Sequence, residues 1–148
     1  MKKIICFCFI FISCNQYQKD MHADAAKEIM SADTAMNNLA VKEGFHKALL
    51  LYADDSVLKP SDGELPVIGK TSLEKYWSNA NDLKTISWYP TRAEAASSGD
   101  LGYTFGNWTL QTADTIMYGN YCTVWKKHPG GKWKFVFDGG NNTPAPLH

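Results

Sequence analysis

Two aspartates stand where an ionised carboxylate is expensive. Asp33 falls one turn before Met36 on a stretch whose apolar residues recur at helical spacing, and Asp138 follows Trp133, Phe135, Val136 and Phe137 at the end of an apolar run. A carboxyl group in such surroundings is paired, hydrogen-bonded or held with a raised pKa, and a raised pKa is what a general acid or base needs near neutral pH. Asp33 and Asp138 are therefore the candidate catalytic residues. Lys59, directly after the short apolar run 56–58, is a third polar residue of this kind. The same residues admit a structural reading, in which Asp33 pairs with Lys59 or caps a backbone group and Asp138-Gly139-Gly140-Asn141 is turn chemistry.

Other constellations are sparse. The four histidines, His22, His46, His128 and His148, show no H-x-H or H-x-x-x-H spacing, so no metal site is expected. There is no G-x-S-x-G, no Gly-rich phosphate loop and, after residue 14, no C-x-x-C, so no cofactor is implied. Cys122, mid-strand between Tyr121 and Thr123, reads as an inert thiol. His46 and Asp54-Asp55 read as an exposed helix face and a helix terminus. Formal charge is +0, and the one basic cluster, Lys126, Lys127, Lys132 and Lys134, flanks a turn, which removes nucleic acid as a partner. Trp88, Tyr103, Trp108, Tyr118, Tyr121 and Trp125 spread over three β-rich runs. Period-two alternation puts Tyr103 and Phe105 on one face with Trp108 on the other, and Tyr121 with Trp125.

The elements that must position these residues follow from periodicity. Residues 23–43 carry Ile29, Met36, Leu39 and Ala40 at helical spacing, Gly44 supplies a stop, and 45–53 form a second helical face. A short strand 56–58 and a loop through Pro60, Gly63 and Pro66 come next. Thr71-Ser72-Leu73-Glu74 has capping-box spacing ahead of a third helix. Beyond Asp82 the period changes to two, in runs 84–96, 101–112, 115–127 and 132–141 joined by hairpin-length turns. Helices followed by a meander make the chain α+β, with a strongly twisted sheet curling around the helices.

The chain start is a separate unit. Lys2 and Lys3 precede nine apolar residues, 4–12, too few to span a bilayer. Phe11-Ile12-Ser13-Cys14 resembles a bacterial lipobox, which implies a signal peptide over 1–13, lipidation of Cys14 and a tether over 14–22. The expected location is the cell envelope, with the membrane held through the lipid. The domain would then run over 23–144 and the tail over 145–148, with Cys122 as its one free thiol.

Leu51-Tyr52-Ala53-Asp54-Asp55, Gly69 to Leu73, Ser98 to Thr104, Tyr121 to Trp125 and Trp133 to Asp138, in this order of elements, resemble the SnoaL-like and ketosteroid-isomerase-like proteins of the nuclear-transport-factor-two-like superfamily, specifically a bacterial domain of unknown function. The resemblance implies a cone in which a curved antiparallel sheet wraps the N-terminal helices and leaves a pocket at its open end. It also implies that Asp33, Lys59, Asp138 and Asn141 form the polar floor. Most of the strand aromatics read as ordinary core, with Trp88, Tyr103 and Tyr121 the candidate ligand contacts among them. Ketosteroid isomerase chemistry does not carry over with the fold. Its general base would fall at or beside Pro60 and its helical tyrosine near Met36.

Three functions fit. A cone without those parts binds a small apolar molecule without transforming it. A SnoaL-like isomerase, cyclase or hydratase would use Asp33 or Asp138 for proton transfer. A protein-interaction module would have a filled cone, and aromatics exposed on the outer sheet face would point to a homodimer, a packing common in this superfamily.

Overall fold

The computed structural model describes residues 20–146. The expected signal peptide over 1–13, the expected lipidation site Cys14 and most of the expected tether over 14–22 lie outside the described residues. Helix α1 spans His22–Glu43, α2 Phe45–Tyr52 and α3 Lys70–Trp77; the strands are β1 Ala53–Lys59, β2 Val67–Ile68, β3 Ile86–Ala95, β4 Leu101–Gln111, β5 Ile116–Lys127 and β6 Trp133–Thr143. The chain is α+β, with three helices packed on a curved six-stranded sheet in the order β2-β1-β6-β5-β4-β3. The meander β3 to β6 is antiparallel as expected. The sheet as a whole is mixed, because β1 pairs parallel with β6.

Helix α1 buries a single stripe, Ala25, Ile29, Asp33, Met36 and Ala40, against the inner sheet face. Its break at Gly44 has a local cause. Gly44 has φ 120°, which disfavours any residue with a Cβ, and a Cβ there would collide with the Asp82 carboxylate. Asp82 occupies that space because it caps α2 from the loop, accepting from His46 N at 2.7 Å and Lys47 N at 3.2 Å.

Several local expectations are corrected. Helix α3 starts from Gly69 with no side-chain cap, so Thr71-Ser72-Leu73-Glu74 lies inside the helix and forms no capping box. Asp54 and Asp55 belong to β1 and not to a helix end. Asp54 is buried, accepts from Ser56 N and Oγ, and meets His128 Nε2 at 2.5 Å, a hydrogen-bonded contact that ties β1 to the turn before β6. The backbone and hydroxyl bonds from Ser56, with His128, hold its carboxyl below the usual range against the opposing effect of burial. His46 is no exposed residue either. Its ring stacks on Trp77 at 4.6 Å, and burial pushes its pKa down.

Two irregularities bend the antiparallel meander, one between Pro90 and Arg92 and one opposite Val124 and Trp125. The second decides the site. Phe135 pairs with Trp125 on the buried face, and Phe137 then pairs with Val124, so one extra residue on β6 shifts the alternation. Asp138 is thereby turned to the same side as Thr123 and into the cone.

Candidate ligand-binding site

Between α1, α2 and the open end of the sheet lies a cavity of about 280 Å3. That is the small end of ligand pockets, which run at roughly 300–1,000 Å3. Its walls are apolar, with Met36 from α1, Phe45 and Leu49 from α2, and Trp88, Trp108 and Leu110 from the sheet. Polar groups gather on one side: Tyr121, Thr123, Asp138 and Lys59. Trp108 fits because Gly119 and Gly140 stand beside it, and a Cβ at Gly119 would overlap its indole.

The two candidate aspartates have different roles. Asp138 lines the cavity, accepts from Thr123 Oγ1 at 2.7 Å and pairs with Lys59 Nζ at 2.9 Å. The expected turn 138–141 is therefore wrong. These residues are strand β6, and Lys59 pairs with Asp138 rather than Asp33 because β1 runs directly beside β6. Asp33 is fully buried. Its Oδ1 accepts from Trp88 Nε1 at 2.6 Å, its Oδ2 from Tyr121 OH at 2.8 Å, and the Thr104 hydroxyl adds a third bond. Burial raises its pKa from the ordinary carboxylate value, with the three donors opposing and the Asp138 charge reinforcing the rise. The same burial, together with Asp33 itself, raises the Tyr121 phenol.

Of the remaining site expectations, Trp88, Tyr121 and Asn141 line the cavity and Tyr103 does not. Tyr103 pairs with Val124 on the outer face, because its neighbour Thr104 takes the inward position. Thr123 and Thr104 are the buried polar residues that sequence reasoning missed, and Ser61, Asp62 and Asn142 join the lining from its exposed rim. Thr123 alternates with Tyr121 and Trp125, all three buried, so its inward direction was available from the period of β5. Cys122 points the other way, half-buried, with its thiol pushed up by burial and by Asp138. Among the described residues no three His, Cys, Asp or Glu side chains form a metal-binding cluster.

With a curved mixed sheet wrapped on three helices and a cavity at its open end, comparison with solved structures is informative. A ketosteroid isomerase-like protein from Erwinia carotovora superposes with TM-score 0.61 at 12% identity, over 80% of this chain and 96% of that one. The fold is the nuclear-transport-factor-two-like fold. An NTF2-like protein with a cystatin-like fold from Novosphingobium aromaticivorans gives TM-score 0.61 at 13% identity, over 84% of this chain and 85% of that one. The CaMKII hub of S. rosetta, also of this fold, gives 0.62 at 15% identity, over 80% of this chain and 96% of that one. No family model matches the chain. No curated protein matches it either. Identities this low carry the nuclear-transport-factor-two-like fold and no chemistry.

Proposed function

We propose that this protein is an envelope lipoprotein whose cone binds a small, largely apolar molecule without transforming it. The observation that carries the reading is a preformed, aromatic-walled cavity at which the two sheltered carboxylates are both engaged, Asp138 in the wall by Lys59 and Thr123, Asp33 behind it by Trp88, Tyr121 and Thr104, while the third, Asp62, is exposed to solvent at the rim. A general base needs a free lone pair within reach of the substrate proton. Asp33 lies wholly behind the cavity wall, and Asp138 sits in an ion pair. An interaction module with a filled cone is disfavoured by the cavity itself.

Native mass spectrometry of the gently purified protein tests this. A retained small molecule is expected in the wild type and lost in Leu110→Trp, which fills the cavity; equal retention by both would sink the reading. The same spectrum gives the oligomeric state. A homodimer is supported by the exposed outer-face aromatics Tyr89 and Phe105.

A second reading, an enzyme of SnoaL-like type using Asp33 or Asp138, is favoured by one observation: Asp33 is held above its ordinary pKa and joined to the cavity wall through Tyr121. A co-purified mass that the wild type converts and Asp33→Asn does not would carry it.

The anchor has its own test. Incorporation of labelled palmitate is expected in the wild type and absent in Cys14→Ala, with that variant released to the soluble envelope fraction. Unchanged labelling would remove the lipoprotein part and leave the cone untouched.

A further inference from the structure

We propose that the cavity selects an apolar molecule carrying a hydroxyl or amine donor, and that Asp33 sets this preference by holding the Tyr121 proton. The inference rests on reading the cavity as a ligand site and names the chemistry of its occupant. It follows from a proton inventory of the wall.

An indole offers one N–H and no acceptor. Trp88 Nε1 gives that proton to Asp33 Oδ1 at 2.6 Å, and Trp108 Nε1 gives its own to the Asn120 carbonyl at 3.1 Å. Neither tryptophan lining the cavity has a donor left. A hydroxyl has one proton and two lone pairs. Thr123 commits its proton to Asp138 Oδ1 at 2.7 Å, and Tyr121 commits its proton to Asp33 Oδ2 at 2.8 Å. What Tyr121, Thr123 and Asp138 still have to offer is lone pairs. Lys59 is turned to Asp138, with Nζ 2.9 Å from Oδ2 and 3.4 Å from the main-chain oxygen, leaving one N–H. The other side-chain donors in the lining stand at the solvent-exposed rim, where water already serves them: the Ser61 hydroxyl, the second amide N–H of Asn141 and the Asn142 amide.

The polar side of the cavity is therefore rich in acceptors. A ketone or ether would set lone pairs against lone pairs and leave Tyr121 and Asp138 desolvated without a partner. A hydroxyl or amine supplies the missing proton. Asp33 controls the sign of this preference because its two oxygens leave Tyr121 no choice but to donate. An amide in its place keeps the Trp88 bond on Oδ1 and presents N–H to the phenol, so Tyr121 must accept and turn its own proton elsewhere.

Calorimetric titration of the purified protein with four matched probes tests this: 2-naphthol and 2-naphthylmethylamine, which donate, and 2-methoxynaphthalene and 2-acetylnaphthalene, which only accept. The wild type is expected to bind a donor probe at least about tenfold tighter than either acceptor probe, the factor one satisfied hydrogen bond supplies. The naphthol and amine arms show which donor is preferred. Tyr121→Phe should narrow the gap while keeping the affinity for the ether. Asp33→Asn, with its far-ultraviolet spectrum unchanged, should invert the order in favour of 2-acetylnaphthalene. Wild-type binding with no preference, or with the ketone tighter, overturns donor selection and leaves the ligand site standing. An unchanged order in Asp33→Asn overturns the role of Asp33. Binding of none of the four overturns the ligand-site reading and the inference with it.

Discussion

Asp33→Ala should cost about 3–5 kcal/mol, a large share of the roughly 5–15 kcal/mol that holds a domain together. The loss comes from the groups left behind and not from the carboxylate. Trp88 Nε1, Tyr121 OH and the Thr104 hydroxyl all point at Asp33 from the sheet, and each of these residues is nearly or wholly buried. Removing the common acceptor orphans three donors at once, at about 1–3 kcal/mol each where nothing relaxes. Asp33→Asn retains one acceptor oxygen, and the two hydroxyls can rotate, so its cost should be near 1 kcal/mol. Urea denaturation separates the two variants, and an Ala variant within 1 kcal/mol of wild type would show that the cluster is not what joins α1 to the sheet.

The pH dependence has a definite sign. The folded pKa of Asp33 is raised, so the stability this group contributes is full below the unfolded value and is lost as pH rises through the folded pKa. Asp54 runs the other way. Its folded pKa is lowered, so its contribution is present above the unfolded value and lost as pH falls through the folded one. Asp33→Asn should therefore remove a declining component between the ordinary carboxylate value and the raised one, so that the variant loses less stability than the wild type as pH rises through that window.

Much of this arrangement was legible in the chain, and the boundary of legibility is physical. Asp33 falls at the fourth residue after Ile29 and the third before Met36, so helical period alone places it on the buried stripe of α1. The meander was legible because alternation and turn residues are local signals. Its partners were not. Trp88 and Tyr121 are 55 and 88 residues away, and only the register of the sheet sets them opposite α1. Asp138 was a sharper case. Strict alternation from Phe135 would have turned it outward, and a one-residue irregularity in β6 turns it inward beside Thr123. Asp82 capping α2 from 35 residues beyond Lys47 is likewise invisible to any rule that looks for caps next to the helix. Tyr103 was placed correctly by face and incorrectly by role, since the face it occupies is the outer one.

Trp125→Ala should match the Asp33 loss at about 3–5 kcal/mol, by a different route. Trp125 is fully buried, edge-on to Tyr52 at 6.3 Å and to Phe135 at 6.1 Å, so truncation opens a cavity where α2, β5 and β6 meet. Its indole also begins a relay. Trp125 Nε1 donates to Thr104 Oγ1 at 2.9 Å, which orients the Thr104 proton toward Asp33. Trp125→Phe keeps most of the packing and breaks only this bond, so it should cost about 1–2 kcal/mol for the smaller ring and the lost N–H together. The relay makes the two sites energetically dependent. With Asp33 absent, the orientation of Thr104 no longer matters to any acceptor, so the Trp125→Phe and Asp33→Ala losses should sum to more than the double variant shows, by about 0.5–1 kcal/mol. Strict additivity in that cycle, measured by denaturant unfolding at neutral pH, would mean that Trp125 supports the core through packing alone and that Thr104 finds Asp33 without help.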